Sequence, residues 1–189
     1  MLTYPSWPSR QLVSAAELNP YVYENNSRLV TPSAFRAKGL ESTDEFTSRV
    51  ELKWDLWDFE RQGWTSADMK RFRCPASGTY FLSANLTFRP PATMDGKKTA
   101  MVDALVCSSG RDGSGSTPLL KSLNNTKIIG SYLSVSTSGL AHLAEGDLLY
   151  ATAAGYGGTW TKATSENKSW SMNAFSAIQI APDSKGLGE

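Results

Sequence analysis

The chain has 189 residues, with 19 Lys and Arg, 18 Asp and Glu, one His and two Cys. A net charge of +1 excludes the broad basic surface that nucleic-acid binding uses, and the few His and Cys exclude a four-cysteine zinc centre. Ser and Thr supply 40 residues, beside six Trp, seven Tyr and seven Phe. This mixture is typical of short strands with alternating polarity, so we expect an all-β protein with one domain and no cofactor.

Residues 1–32 differ from the rest, because they hold four of the nine prolines and four aromatic residues. Prolines favour extended backbone, and aromatic side chains are enriched at interfaces. We therefore predict an extended N-terminal arm that docks on a neighbouring chain; the alternative is a strap packed on its own domain. The side chains expected to contact the partner are Tyr4, Trp7, Arg10, Leu12, Tyr21 and Tyr23.

From residue 33 onward, the apolar residues recur with a period of two. Five of them, at 80, 82, 84, 86 and 88, fall on one face of a strand, and further runs cover 100–107, 128–135, 148–154 and 170–180. In the last run, Ala174, Ile178 and Ile180 share a face. Turn signals such as Asp95-Gly96 separate the runs, which predicts a β-sandwich or barrel.

Some runs are apolar on both faces, which predicts that subunits pack together. Leu149 opposes Leu148 and Tyr150, although one face of a single sandwich should meet water. Trp54 and Trp57 point to opposite faces of an ideal strand, so one of them should meet a partner. A third tryptophan, Trp160, lies in a glycine-rich loop and is the candidate for a surface contact.

Four segments in order resemble the C1q-like domains found in bacteria and phages. They are Pro32–Ala37, Arg71–Leu82, Leu143–Leu149 and Ser171–Ile178. The second contains a Phe-x-Cys-Pro that leads through Gly78 into an aromatic strand. The Asp-aromatic region around Trp54 to Phe59 is similar as well. The resemblance covers about residues 32–182.

The resemblance implies a ten-stranded jelly roll of the C1q and tumour-necrosis-factor (TNF) class that forms a homotrimer. The arm of 1–32 would precede the domain of 33–182, and a polar tail of 183–189 would follow it. Gly78 and Gly146 lie where turns require positive φ, and Asp147 is placed to accept amide hydrogen bonds. The candidates for the trimer interface are Trp54, Tyr80, Phe81, Tyr150 and Phe175, with Trp160 as an apical contact.

No motif carries reaction chemistry, so we expect no enzyme, no catalytic residue and no metal. His142 is the only histidine, and no Gly-x-Ser-x-Gly elbow accompanies it. The carboxylates at 55, 58 and 60 allow a glycosidase pair or a calcium site, but sequence proximity establishes neither. Cys74 and Cys107 are either buried free thiols or a disulfide, which their spacing does not decide.

A non-enzymatic virion protein fits these expectations. We expect a trimeric decoration (cement) protein on a bacteriophage capsid, whose arm contacts the major capsid protein or another virion protein. The N-terminus lacks a signal peptide, and no apolar run is long enough to span a membrane, which predicts synthesis in the host cytoplasm and no membrane partner. The alternative is a tail-fibre module that binds a receptor or glycan through loops 93–98 and 110–117.

Overall fold

The computed structural model describes residues 32–41, 45–93, 99–127, 132–163 and 173–183. Within these ranges the chain forms twelve strands and no helix, which confirms the predicted all-β class. The strands are β1 Ala34–Leu40, β2 Glu45–Phe46, β3 Val50–Glu51, β4 Trp54–Arg61, β5 Arg71–Arg73, β6 Gly78–Arg89, β7 Ala100–Ser109, β8 Thr117–Thr126, β9 Leu133–Leu143, β10 Leu148–Tyr156, β11 Trp160–Lys162 and β12 Ala174–Pro182. The predicted arm contacts at positions 4 to 23 lie outside the described residues.

The strands form two antiparallel sheets that pack face to face. Sheet one has the order β2-β11-β6-β12-β1-β4, with β9 also paired to β6. Sheet two has the order β3-β10-β7-β8, with β5 also paired to β10. The chain passes from β6 in sheet one to β7 and β8 in sheet two, and then returns to sheet one with β9. This exchange between sheets is the topology of a jelly roll.

The predicted inward face of β6 is confirmed. Its five alternating apolar residues, at positions 80 to 88, are all buried, and they face the buried apolar residues of β7 across the sandwich. A cluster of aromatic rings around Phe35 joins the sheets. The Phe35 ring stacks on Phe72 of sheet two at 4.5 Å between centroids and lies 4.6 Å from the ring of Trp64. Such contacts add to the hydrophobic burial that holds the sheets together.

Both Trp54 and Trp57 pack against the core of the sandwich, so the prediction that they point to opposite faces is wrong. Trp54 stacks on Phe175, and Trp57 meets the ring of Phe72 edge-on at 5.0 Å. The β1–β4 ladder is irregular here, because Gly39 has a φ of 70° and the register shifts between Arg36 and Ala37. Such an irregularity interrupts the strict two-residue alternation that the prediction assumed.

In strand β12, Ile178 and Ile180 share a face as predicted, and that face points outward. The inward residues of β12 are Phe175 and Ala177, which are buried, whereas the two isoleucines are exposed. Because both faces of this strand carry apolar residues, the sequence pattern alone did not identify the inward one.

The turn prediction is confirmed for Gly146, whereas Gly78 is the first residue of strand β6. Gly146 has a φ of 90°, and the Asp147 carboxylate accepts the amide N–H of Ala144 at 2.9 Å. Gly78 also has positive φ, and a Cβ at this position would overlap the carbonyl oxygen of Ala181 near the end of β12.

The chain enters and leaves the sandwich at the same end, which we call the base. The amide of Gln179 donates to the carbonyl of Ser33 at 2.8 Å, and the amide of Asp183 donates to the carbonyl of Ser77 at 3.1 Å. Residues 1–32 and the tail after Asp183 therefore both connect at the base. We call the opposite end, where β6 ends and β7 begins, the apex.

Two leucines test the assignment of the core. Replacing the buried Leu82 by Ala leaves a cavity between the sheets and should lower the free energy of unfolding by about 2–5 kcal/mol. Leu123 is 50% exposed on sheet two, and Leu123→Ala should change it by less than about 0.5 kcal/mol. Urea unfolding followed by tryptophan fluorescence measures both; equal losses would contradict this packing.

Candidate functional site

The outward face of sheet one, which we call the front face, carries exposed apolar side chains in register. Phe81 of β6 pairs with Leu140 of β9 on one side and with Ile178 of β12 on the other. These three residues, the apolar row, are 41%, 61% and 40% exposed. Adjacent strands lie about 4.8 Å apart, so the three side chains form one continuous patch. Exposed patches of this kind mark interaction sites.

A depression of about 360 Å³ lies beside the apolar row. Phe59, Phe81 and Ile178 contribute apolar walls, and polar groups share the lining with them. Those polar residues are Arg36, Ser83, Asn85 and Ser176. The front face is therefore concave near β1 and β4, whereas Leu140 projects from the other side of the face, on β9.

Toward the apex, the front face becomes rich in hydroxyl groups. Ser83 pairs with Ser138 of β9 and with Ser176 of β12. Two outward positions further along the same strands, the Thr87 and Ser134 hydroxyls form a hydrogen bond of 3.0 Å. Part of the high serine content thus lies in one cross-strand patch that water can solvate.

The carboxylates considered for catalysis or calcium binding have protein partners instead. Asp58 accepts a hydrogen bond of 2.6 Å from Lys38 and lies 3.6 Å from Arg36. The hydrogen bond from Lys38 holds the pKa of Asp58 below its usual value, although partial burial opposes the shift. Glu60 accepts the amide N–H groups of Gly63 and Trp64. Within the described ranges, no three His, Cys, Asp or Glu side chains come close enough to hold a metal ion.

Four of the five predicted trimer contacts lie inside the chain. Trp54, Tyr80 and Phe175 belong to the core, so they cannot contact a partner, and their assignment to the interface is wrong. Tyr150 is also buried, and its hydroxyl donates to Ser116 at 2.6 Å. Only Phe81 among the five is exposed. Aromatic residues in alternating strands are core residues first, and the register of the sheet decides which of them face outward.

The predicted surface contact of Trp160 is also wrong, because this side chain is fully buried. Its indole N–H donates to the carbonyl oxygen of Tyr156 at 3.2 Å. A Cβ at Gly155 would overlap the indole ring, so the absence of a side chain there makes room for the tryptophan. The glycines near Trp160 therefore allow its burial and do not indicate an exposed loop.

Part of the outward face of sheet two is covered by the chain's own arginines. The Arg71 guanidinium lies 4.8 Å from the centre of the Tyr150 ring, and Arg49 binds both oxygens of Asp103 at 2.8 Å. Tyr150 therefore needs no second subunit to cover it. Sheet two still exposes Met101, Leu123 and Tyr156, so both sheets carry uncovered apolar side chains on their outward faces.

The two loops assigned to one glycan-binding surface lie at opposite ends of the sandwich. Loop 110–116 follows Ser109, which pairs with Leu148 near the base. Residues 90–93 follow β6 at the apex, and residues 94–98 lie outside the described ranges. One apical site cannot combine both loops.

The histidine and the two thiols all lie within the described residues. His142 is exposed on β9, and its Nε2 lies 2.9 Å from an Asp183 oxygen at the base. Cys74 and Cys107 are free thiols, and burial raises the pKa of each. A thiol with a raised pKa is a poor nucleophile at neutral pH. The described part of the chain contains no helix that is long and apolar enough to cross a membrane.

Comparisons with protein-family models and with curated proteins give no match. Several solved structures do match. Murine APRIL at pH 5.0 has a TM-score of 0.58 at 14% identity, and at pH 8.0 a TM-score of 0.57 at 16% identity; each alignment covers 79% of this chain and 99% of APRIL. The Eiger TNF from S. frugiperda has a TM-score of 0.57 at 14% identity, covering 84% of this chain and 99% of Eiger. At these identities the likeness concerns the fold alone: the chain folds as a TNF-like jelly roll.

Proposed function

We propose that the chain is a non-enzymatic structural protein of a virion: a homotrimeric decoration protein on a bacteriophage capsid, anchored through residues 1–32. The observation that supports it best is the uncovered apolar row on the front face, combined with chain ends that both connect at the base. A structural role needs a surface for self-association and a separate attachment point, and these two features supply them.

The shape of the front face favours a ring of copies. Leu140 projects on β9 at one side of the face, and the depression beside Phe59 lies toward the other side. Two unlike regions that fit each other make a head-to-tail contact, and such contacts form a closed ring when the rotation between copies closes on itself. The trimer that the C1q-like resemblance implies is a ring of this kind.

The position of the chain ends favours attachment through the arm. In a ring of copies related by rotation, three arms begin at the same end of the assembly. An extended segment of 32 residues can reach about 100 Å, which is enough to cross onto neighbouring capsid subunits. The apex then points away from the capsid. A near-neutral chain suits a protein that covers a protein surface.

A receptor-binding role in a tail fibre remains the alternative. It is supported by exposed Tyr132 at the apex, whose ring lies 5.9 Å from the Arg89 guanidinium. An exposed aromatic side chain next to arginine is typical of binding surfaces.

One substitution on each sheet tests the trimer. The full chain should have three times the mass of 20.6 kDa in multi-angle light scattering. Leu140→Asp places a charge in the apolar row and should reduce the mass to that of one chain, because an unpaired buried carboxylate costs several kcal/mol per copy. Leu123→Asp changes another exposed leucine, on sheet two, and should leave the trimer intact. A single-chain mass for the unmodified protein, or a trimeric Leu140→Asp variant, would refute this interface.

Deletion of residues 1–32 tests the anchor. The truncated protein should keep its trimeric mass, because the front face is unchanged, and should lose binding to capsids in a co-sedimentation assay. Unfolding of the truncated protein would identify the arm as a strap on its own domain. Retained capsid binding would contradict the anchor, and retained binding to host cells without capsid binding would favour the tail-fibre alternative.

A further inference from the structure

A second depression, on the outward face of sheet two near the base, remains open if the front face is covered. We call it the side depression. Its volume is about 410 Å³, and its lining is Thr65, Ser66, Ala67, Asp68, Arg71, Arg73 and Leu148. We propose that the side depression binds an acidic sugar, with Arg73 holding the carboxylate and Asp68 accepting hydrogen bonds from ring hydroxyls.

Arg73 is the cation available to a ligand. Its Nη1 donates to the carbonyl of Gly146 at 3.1 Å, while Nε and Nη2 form no hydrogen bond within the described part of the chain. No carboxylate there lies within ion-pair distance of it. The neighbouring Arg71 differs, because its Nε and Nη2 both bind Glu51. Arginine binds carboxylates through two parallel N–H groups, and Arg73 retains such a pair.

Asp68 provides a charged acceptor at the same depression. Its Oδ1 accepts the N–H groups of Lys70 at 2.9 Å and Arg71 at 3.2 Å, while Oδ2 has no hydrogen bond in the described residues. Burial raises the pKa of Asp68, but these backbone N–H groups and the charge of Lys70 outweigh it, so the net pKa lies below the ordinary value. Asp68 is therefore ionised at neutral pH.

The backbone that carries both groups is held in place by hydrogen bonds to the rest of the fold. The amide of Arg73 donates to the carbonyl of Thr65 at 2.8 Å, and the amide of Trp54 donates to the carbonyl of Met69 at 2.9 Å. Met69 also packs against the core. The loop from Thr65 to Met69, which is held at both ends, loses little conformational entropy when a ligand binds.

The set of groups selects the class of ligand. A simple anion would be repelled by the negative charge of Asp68. A neutral sugar would leave the Nε and Nη2 groups of Arg73 without a carboxylate to bind. An acidic sugar uses both: its carboxylate binds Arg73, and its hydroxyls donate to Asp68 and exchange hydrogen bonds with Ser66. Leu148 offers an apolar contact for the C–H face of the ring. In a trimer, three such sites would bind a ligand with several acidic sugars more tightly than one site does. Each site is nevertheless complete within one chain.

Titration of the full-length chain by saturation-transfer NMR tests this proposal. The probes are the methyl glycosides of glucuronic acid and N-acetylneuraminic acid, with methyl glucoside and acetate as comparisons. At least one acidic glycoside should bind about tenfold more tightly than methyl glucoside and acetate, which is the effect of one charge-assisted hydrogen bond.

Two substitutions locate the site. Arg73→Gln and Asp68→Asn should each weaken binding about tenfold, and Asn keeps the oxygen that accepts the loop amides. Arg89→Gln removes an exposed arginine at the apex and should leave binding unchanged. Equal binding of acetate or methyl glucoside, no binding of either acidic glycoside, or an unchanged affinity of Arg73→Gln would overturn the proposal. Because each site needs one chain only, this outcome is independent of the trimer and of capsid binding.

Discussion

The packing of aromatic rings around Phe35 is the contact on which the rest of the structure depends. Phe35 belongs to the first strand of sheet one, and the ring stacked on it, Phe72, belongs to sheet two. Phe175 of the last strand also meets the Phe35 ring edge-on, at 5.3 Å between centroids. These contacts join segments that are far apart in the sequence, and they fix how the two sheets face each other. Once the inward residues are set, every second residue points outward, which places Phe81 and Ile178 on the front face.

The strand faces that could be predicted are those with strict alternation. In β6, large apolar residues occupy one parity and mostly polar residues the other, so the inward face follows from the sequence. In β12 both faces carry apolar residues, and only the pairing of β12 with β6 determines which face points inward. Tyr150 was misassigned because its cover, Arg71, comes from a strand almost 80 residues earlier. A local pattern contains no information on such a contact.

The candidate site was predicted only in part, because it depends on register between strands. Phe81 was identified, but Leu140 was missed: it lies in a serine-rich strand that shows no strong apolar pattern. Aligning β6, β9 and β12 as antiparallel neighbours would have placed Leu140 and Ile178 on either side of Phe81. The side depression was missed for a similar reason, since Arg73 and Leu148 meet only through the pairing of β5 with β10.

The position of β1 has a mechanical consequence. This strand lies between β12 and β4 and forms antiparallel ladders with both, and residues 1–32 connect directly to its first residues. Tension along that segment would pull β1 parallel to its own axis, so the hydrogen bonds of both ladders would be loaded together in shear. They would not be opened one after another as in an unzipping hairpin. A chain tethered through its N-terminal segment would thus transmit force into a strand that is paired on both sides, where several hydrogen bonds share the load.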